Sequence, residues 1–228
     1  MDTNLDFESL GARIESCRRC PRLVAWREKI AEERRASFSS EEYWGRPVRG
    51  FGDPRASIMV VGLAPGAHGA NRTGRIFTGD RSGDWLFASM YRCGLASQPT
   101  STTRGDGLEL SGVWVTAAVR CAPPANRPTP QERDSCAGFL AQEMALLAPL
   151  KVVVALGGFA YQAVANLAGV ERPRPRFGHG VLARTDSGIS VLCSYHPSQQ
   201  NTFTGRLTEA MLDSVFTEAS RLASKPDA

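Results

Sequence analysis

The sequence predicts a three-layer α/β/α sandwich around a central four-stranded parallel sheet, and three observations carry that reading. Short β-branched runs recur along the chain, segments of helical character separate them, and no linker-like stretch divides the 228 residues. A chain of this length buries one sizeable core, so a single domain is expected over 1–228, with its core at about 12–222.

The elements follow in order. The stretch from residue 7 to about 35 reads as helix broken near Pro21. The runs SIMVVG (57–62), VWVTAAV (113–119), KVVVALG (151–157) and ISVLCSY (189–195) read as buried strands. Helical segments fall at about 81–93, 129–148, 158–168 and 205–223. Thr129 precedes Pro130 and stands three residues before Glu132, the arrangement of a capping box. Strands alternating with helices need right-handed crossovers, which cover both faces of a parallel sheet. Gly, Pro and Arg concentrate at 45–55, 97–112 and 171–180, read as surface loops, and no internal repeat is present.

Hydrophobic residues at 42% and charged residues at 22% exclude both a disordered chain and a disulfide-stapled miniature. A net charge of +4 suits a nucleic-acid partner without requiring one. Lys occurs only at Lys29, Lys151 and Lys225, so nearly all 27 basic residues are Arg, whose planar fork pairs two phosphate oxygens at once. A genome rich in G and C accounts for the same bias. No apolar run approaches the roughly 18 to 20 residues that span a membrane. The amino-terminal MDTNLDFESLG lacks the features of a signal peptide, so the expected location is the cytoplasm. The six Cys are then expected as thiols or metal ligands.

In an open parallel sheet, ligands bind beyond the carboxyl ends of the strands. Three unusual loops fall on that edge: residues 63–69 after the first strand, 120–126 after the second, and 196–201 after the fourth. The segment GLAPGAHGANRTGRIFTGDRSG, residues 62–83, holds six Gly around His68, Phe77 and Asp80, a density that lets backbone approach a ligand closely. The spacing of a phosphate-binding P-loop is absent, so no nucleotide cofactor is expected. Phe77, among small polar residues, offers a flat apolar surface of the kind an unstacked base needs. His196, held extended by Pro197, is placed to donate a hydrogen bond to a leaving group.

Cys17 and Cys20 form a C-x2-C pair, and Cys121 and Cys136 follow about a hundred residues later. Four thiolates hold either a tetrahedral zinc or an iron-sulfur cluster, and ligand type alone does not choose between them. Cys93, on a helical segment, and Cys193, inside a strand, read as apolar packing.

At these residues the chain resembles the family 5 uracil-DNA glycosylases. Cys17 and Cys20, GLAPGAHGANRTGRIFTGD, VRCAPPANRPTP, Cys136 and HPSQQNTFTGRLT carry the likeness, which covers about residues 12–222. The resemblance implies a structural [4Fe-4S] cluster on Cys17, Cys20, Cys121 and Cys136. It implies that Phe77 stacks on a flipped base, in a pocket that includes Gly62, Leu63, Ala64, Gly66, His68, Ala117 and Asn126, and that His196 stabilises the departing uracil anion. Related cluster-bearing enzymes have an acid where this chain has Leu63 and Asn where it has Ala117. Asp80 is therefore the candidate to orient the attacking water. Discrimination for uracil should weaken, admitting deaminated purines such as hypoxanthine and xanthine. The segment 197–204 is expected to enter the duplex, with Pro197, Ser198, Gln199, Asn201, Arg72, Arg75 and Arg206 contacting DNA. No Lys lies in a motif to form a Schiff base, so the expected reaction is simple hydrolysis leaving an abasic site, performed by a monomer away from membranes, at the nucleoid. An iron-sulfur redox protein, and a DNA-binding module without catalysis, are the rival readings.

Overall fold

In the computed structural model, which describes residues 6–225, the chain runs α1 (Phe7–Glu15), α2 (Pro21–Glu33), β1 (Phe51–Gly52), β2 (Ile58–Gly62), α3 (Ala70–Thr73), α4 (Arg81–Arg92), β3 (Val113–Ala117), α5 (Pro130–Leu146), β4 (Val152–Leu156), α6 (Gly158–Leu167), β5 (Leu182–Arg184), β6 (Ser190–Ser194), α7 (Gln199–Phe203) and α8 (Glu209–Ala223). The break expected near Pro21 separates α1 from α2, with Pro21 as the first residue of the second helix. Thr129 and Glu132 make both bonds of the expected capping box at the start of α5.

The strand order is β1-β3-β2-β4-β6-β5. The four predicted strands form the parallel centre, β3-β2-β4-β6. Two short antiparallel strands flank it, making six rather than four. Both edges are too short to show the period-2 pattern by which a strand is read from sequence. Gly52 in β1 has φ +134, and a Cβ there would stand 2.2 Å from the Val113 carbonyl oxygen, so only Gly lets this edge close on β3.

Alternation along the strands sorts the core into two layers. Ile58, Val60, Val115 and Val154 face α4 and α8, meeting Phe87, Met90 and Phe216. Met59, Val61, Val153 and Cys193 face α5 and α6, meeting Leu140, Tyr161 and Val164. Leu10 and Ile14 of α1 pack on Phe139 of α5. The α5 start is tied to α2 by an Arg22 to Glu132 ion pair of 2.7 Å.

One polar cluster lies inside this core. Arg120 and Glu143 are each 1% exposed, and the Arg120 guanidinium donates to both oxygens of the Glu143 carboxylate, at 2.6 and 3.1 Å. Glu143 also accepts from Thr116 Oγ1 at 2.8 Å and from the Gly50 N–H at 3.2 Å. This carboxylate joins β3, α5 and the segment leading into β1. Removing one partner of a buried pair strands the other charge. Glu143→Ala should therefore lower unfolding free energy by about 3–5 kcal/mol; a urea-melt loss below about 1 kcal/mol would show that the pair does not sustain this junction.

Candidate active site and thiol cavity

The carboxyl ends of β2, β3, β4 and β6 open on one edge, and the loops leaving them build a site there. Its floor is β2's last residue, Gly62, in register with Ala117 of β3. The Phe77 ring lies against Gly62, where a Cβ would approach ring carbon Cζ to 2.6 Å. Phe77 sits at φ +54, and its carbonyl is pressed against Gly83, where a Cβ would lie 1.8 Å from the oxygen. Two glycines thus fix the ring, one beneath it and one behind its backbone. Across from it, His196 leaves β6 with ring centroids 5.7 Å apart and planes tilted 32°.

Asp80 caps α4, its Oδ1 accepting from the Gly83 N–H at 3.1 Å. Its Oδ2 faces the loop, where a Cβ on Gly69 would come within 2.0 Å and one on Gly66 within 3.1 Å. The carboxyl therefore occupies the space that two absent side chains leave. Burial raises its pKa above the ordinary carboxylate value, opposed by the Gly83 and Ser82 N–H groups. Between Gly62 and this carboxyl, the N–H groups of Ala64, Gly66, Ala67 and His68 donate to no other group among the described residues. Leu63 and Ala64 are half-buried in the same loop.

His196 has its pKa lowered to about 4 by burial alone, so it is neutral near pH 7. Its carbonyl accepts from Asn201 Nδ2 at 2.9 Å, and the preceding Tyr195 N–H donates to His179 Nδ1 at 3.3 Å. His68 is held by the buried Tyr43, whose hydroxyl lies 3.1 Å from Nδ1. No sequence motif includes Tyr43. The aromatic pair Tyr43-Trp44 inside a polar segment was the available signal.

Several expected DNA contacts serve the fold instead. Arg72 is buried, ion-paired with Glu41 and bonded to the His68 and Gly79 carbonyls. Arg75 is buried against both oxygens of Asp106, each at 2.7 Å, and against Ser101 and Thr78. Neither guanidinium is presented to a phosphate, because burying an Arg requires its charge to be met internally. Ser198 caps α7, Pro197 is buried, and Asn201 clamps His196. Gln199 is exposed, and Arg206 lies 4.6 Å over the Tyr195 ring. Phe203, within the segment expected to enter the duplex, is 67% exposed at the end of α7, with the Arg81 guanidinium 4.6 Å over its ring. Asn126 is exposed in a turn where both it and Ala125 have positive φ, and no side-chain bond ties it to the glycine-rich loop.

Behind this edge, Cys17, Cys20, Cys121 and Cys136 line one small cavity with Leu23 and Phe139. Cys20 is the N-cap of α2, Cys121 follows Arg120 after β3, and Cys136 lies in α5. Burial pushes the Cys121 thiol up to about 12, with Arg27 opposing and the other three cysteines adding to the rise. Arg27 is buried, its Nη1 3.6 Å from Cys121 Sγ. Among the described residues, no three His, Cys, Asp or Glu side chains gather closely enough for a single metal ion. Cys193 is buried in β6 as expected, while Cys93 is half-buried against α8.

A model of the uracil DNA glycosylase superfamily matches residues 49–219. The chain is 54% identical over 216 residues to the type-5 uracil-DNA glycosylase of Mycobacterium tuberculosis, covering 94% of this chain and 81% of that protein. Its identity to the type-5 enzyme of Thermus thermophilus is 51% over 219 residues, 96% of this chain and 99% of that one. The type-4 uracil-DNA glycosylase of Pyrobaculum aerophilum is 30% identical over 199 residues, 85% and 84% of the two chains.

The histidines give this edge a defined pH response. Burial lowers the pKa of His196, His68 and His179 in the folded chain, so below about 6.5 the unfolded state binds more protons. Stability from His196 is complete above 6.5 and is lost as pH falls toward about 4. NMR of the free protein should show the His196 ring titrating near 4, assigned by its absence in His196→Gln; a midpoint at 6.5 would mean the ring is solvated.

Proposed function

Because the chain belongs to the uracil DNA glycosylase superfamily, we propose that it excises uracil from DNA by hydrolysis, leaving an abasic site for repair, and accepts the deaminated purines hypoxanthine and xanthine as well. The observation that carries this reading is the 62–69 loop, which lies against the Phe77 ring at Gly62 and against the Asp80 carboxyl at Gly66 and Gly69, and whose N–H groups at Ala64, Gly66, Ala67 and His68 have no partner among the described residues. A flat ring supports a base rotated out of its stack. As the glycosidic bond breaks, negative charge collects on the base, and preorganised N–H donors in a site shielded from water stabilise it. Neutral His196 adds a donor without a charge that would have to be lost at working pH. Asp80 faces the sugar side, where its Oδ2 orients the attacking water or offsets the cationic character of the sugar.

The base edge has less to read it. Leu63 offers no carboxylate, and Ala117, buried at 1% exposure beside Gly62, presents a methyl where an amide would pair with a pyrimidine. Selection by hydrogen bonding needs such a buried partner, so its absence supports a range of substrates. DNA contact falls to the exposed parts of this edge, with Gln199, Phe203 and Arg206 on or beside α7.

The four cysteines around the Leu23 cavity would hold an iron-sulfur cluster. Four thiols around one cavity suit either a cluster or a zinc ion by ligand type, and the resemblance to the family favours the cluster. Buried Arg27 beside Cys121 fits an anionic thiolate centre. Such a cluster supplies cross-linking between the amino-terminal helices, the β3 loop and α5, and no electron transfer is needed for hydrolysis.

The test is incubation of labelled duplexes carrying uracil, hypoxanthine or a normal base, followed by alkali. Scission only after alkali and only at damaged bases is expected; no scission by protein of intact iron content would overturn the reading. Asp80→Asn should cut the single-turnover rate well over tenfold. The wild-type rate should fall on the acid side at a pH above the ordinary aspartate range, because burial raises this pKa, and that limb should vanish in the variant. Cys121→Ser and Cys136→Ser should lose iron and visible absorbance while Cys93→Ser retains both, and equal iron in all three would remove the cluster.

A further inference from the structure

Among the described residues four arginines are buried: Arg27, Arg72, Arg75 and Arg120. Three of them meet a carboxylate in hydrogen-bond contact, Arg72 at Glu41, Arg75 at Asp106 and Arg120 at Glu143. Arg27 does not. The carboxylate it approaches is that of Glu28, whose Oε1 stands 3.6 Å from Nη2, beyond hydrogen-bond reach. That carboxylate is 44% exposed and already taken by both Nη atoms of Arg18.

What the Arg27 guanidinium does touch is the cysteine set. Nη1 lies 3.6 Å from Cys121 Sγ, Nη2 donates to the Cys17 carbonyl at 3.4 Å, and the buried Nε has no hydrogen-bond partner. One cation thus reaches both halves of the set, the Cys17–Cys20 segment and the residue that follows Arg120. Its main chain is fixed from another side, because the Arg27 carbonyl accepts from Nδ2 of Asn71, a fully buried residue of α3, at 3.2 Å. With 1% of Arg27 exposed, water does not offset the charge. A buried cation facing neutral thiols is costly, and the same cation facing thiolates is favourable.

We propose that Arg27 is the counter-cation of the cysteine centre, a charge kept inside the chain for the cluster to neutralise, and that retention of the cluster depends on it. The proposal rests on the cluster reading above and deepens it by naming the residue that balances the charge. Four thiolates bring more negative charge than an iron-sulfide core returns, so the loaded centre is an anion in a buried cavity. Arg27 meets that anion at Cys121, where no other buried cation donates to sulfur among the described residues. The neighbouring Arg120 is committed to Glu143 and has no charge to spare.

Charge and packing are separated by the replacement chosen. Arg27→Met removes the charge and keeps a long side chain in the space, Arg27→Gln is a second neutral replacement, and Arg27→Lys restores the charge. All three leave the carbonyl that Asn71 uses, and losing an unmet buried cation does not weaken the metal-free chain, so the neutral variants should fold. Each full-length protein is reconstituted with ferrous iron and sulfide without oxygen, its fold is checked by far-UV circular dichroism, and iron release to a ferrous chelator is followed by absorbance. A unit charge beside an anion in the interior changes a rate by about tenfold or more, so the neutral variants should release iron at least about tenfold faster than wild type or fail to hold it. Arg27→Lys should stay within about threefold of wild type. Wild-type release from the neutral variants overturns the proposal, as does equal acceleration in the Lys and Met variants, which would make the residue packing. A wild-type protein that holds no iron sinks the cluster reading instead; if it holds zinc, release of zinc from the same four proteins judges Arg27, and if it holds neither metal the proposal falls too.

Discussion

The Arg120–Glu143 pair is the interaction on which the placement of the rest depends. A carboxylate and a guanidinium at 1% exposure carry a large desolvation cost, and only a complete set of partners offsets it. Here Glu143 takes the two Arg120 bonds, Thr116 Oγ1 and the Gly50 N–H. The set closes only if the end of β3, the middle of α5 and the approach to β1 converge at one point. Cys121 is the residue after Arg120, and Cys136 lies two helical turns before Glu143 on α5. The charge network that fixes the sheet-to-helix junction therefore also sets where half of the thiol set stands. A buried pair is weak as a source of net stability, but as a registration device it is strong, since any shift leaves a charge without its partner.

The active edge is governed by a different constraint, the close approach of backbone to side chain. Gly62, Gly69 and Gly83 each occupy a place where a Cβ would collide with Phe77 or Asp80. The glycines are thus the negative image of the aromatic ring and the carboxyl. The loop's N–H groups at Ala64, Gly66, Ala67 and His68 meet no acceptor among the described residues, and in a folded chain that arrangement is costly unless a ligand or water completes it. His196 is held by side-chain bonds to its own backbone and to that of Tyr195, and not to its ring: Asn201 Nδ2 donates to its carbonyl, and the Tyr195 N–H donates to His179. Its imidazole stays available, since no hydrogen bond among the described residues uses it.

These two kinds of constraint differ in how far they were legible in the sequence. The four central strands and the five longer helices after Pro21 were readable because period and capping are local properties, as at Thr129, Pro130 and Glu132. Edge strands of two and three residues leave no period to read. Gathering of the three loops on one edge followed from parallel topology alone, and the glycine density announced close approach without saying to what. Arg72 and Arg75 misled because a guanidinium in a functional motif looks the same in sequence whether it faces phosphate or Asp106; that partner lies some thirty residues away and only folding brings it in. Tyr43 showed as an aromatic in a polar segment, but its partner His68, 25 residues on, was illegible for the same reason. Local rules recover what each residue prefers, and they do not recover which distant residue will neutralise it.

The polar groups of the site address charge and leave base identity largely unread. In the proposed reaction the unbonded N–H groups, the neutral imidazole and the buried carboxyl would all act on the leaving group, the sugar and the water. The positions at which an edge would be read, Leu63 and Ala117, are apolar. A site built this way gains rate from stabilising the departing anion, a benefit available to any base whose ring bears negative charge well once it leaves. Its selectivity must then come from elsewhere: from how easily a base leaves the stack, which is least costly where pairing is already impaired. Damage that weakens pairing presents the nucleotide, and the edge of the sheet needs only to hold the duplex in place and accept what rotates out.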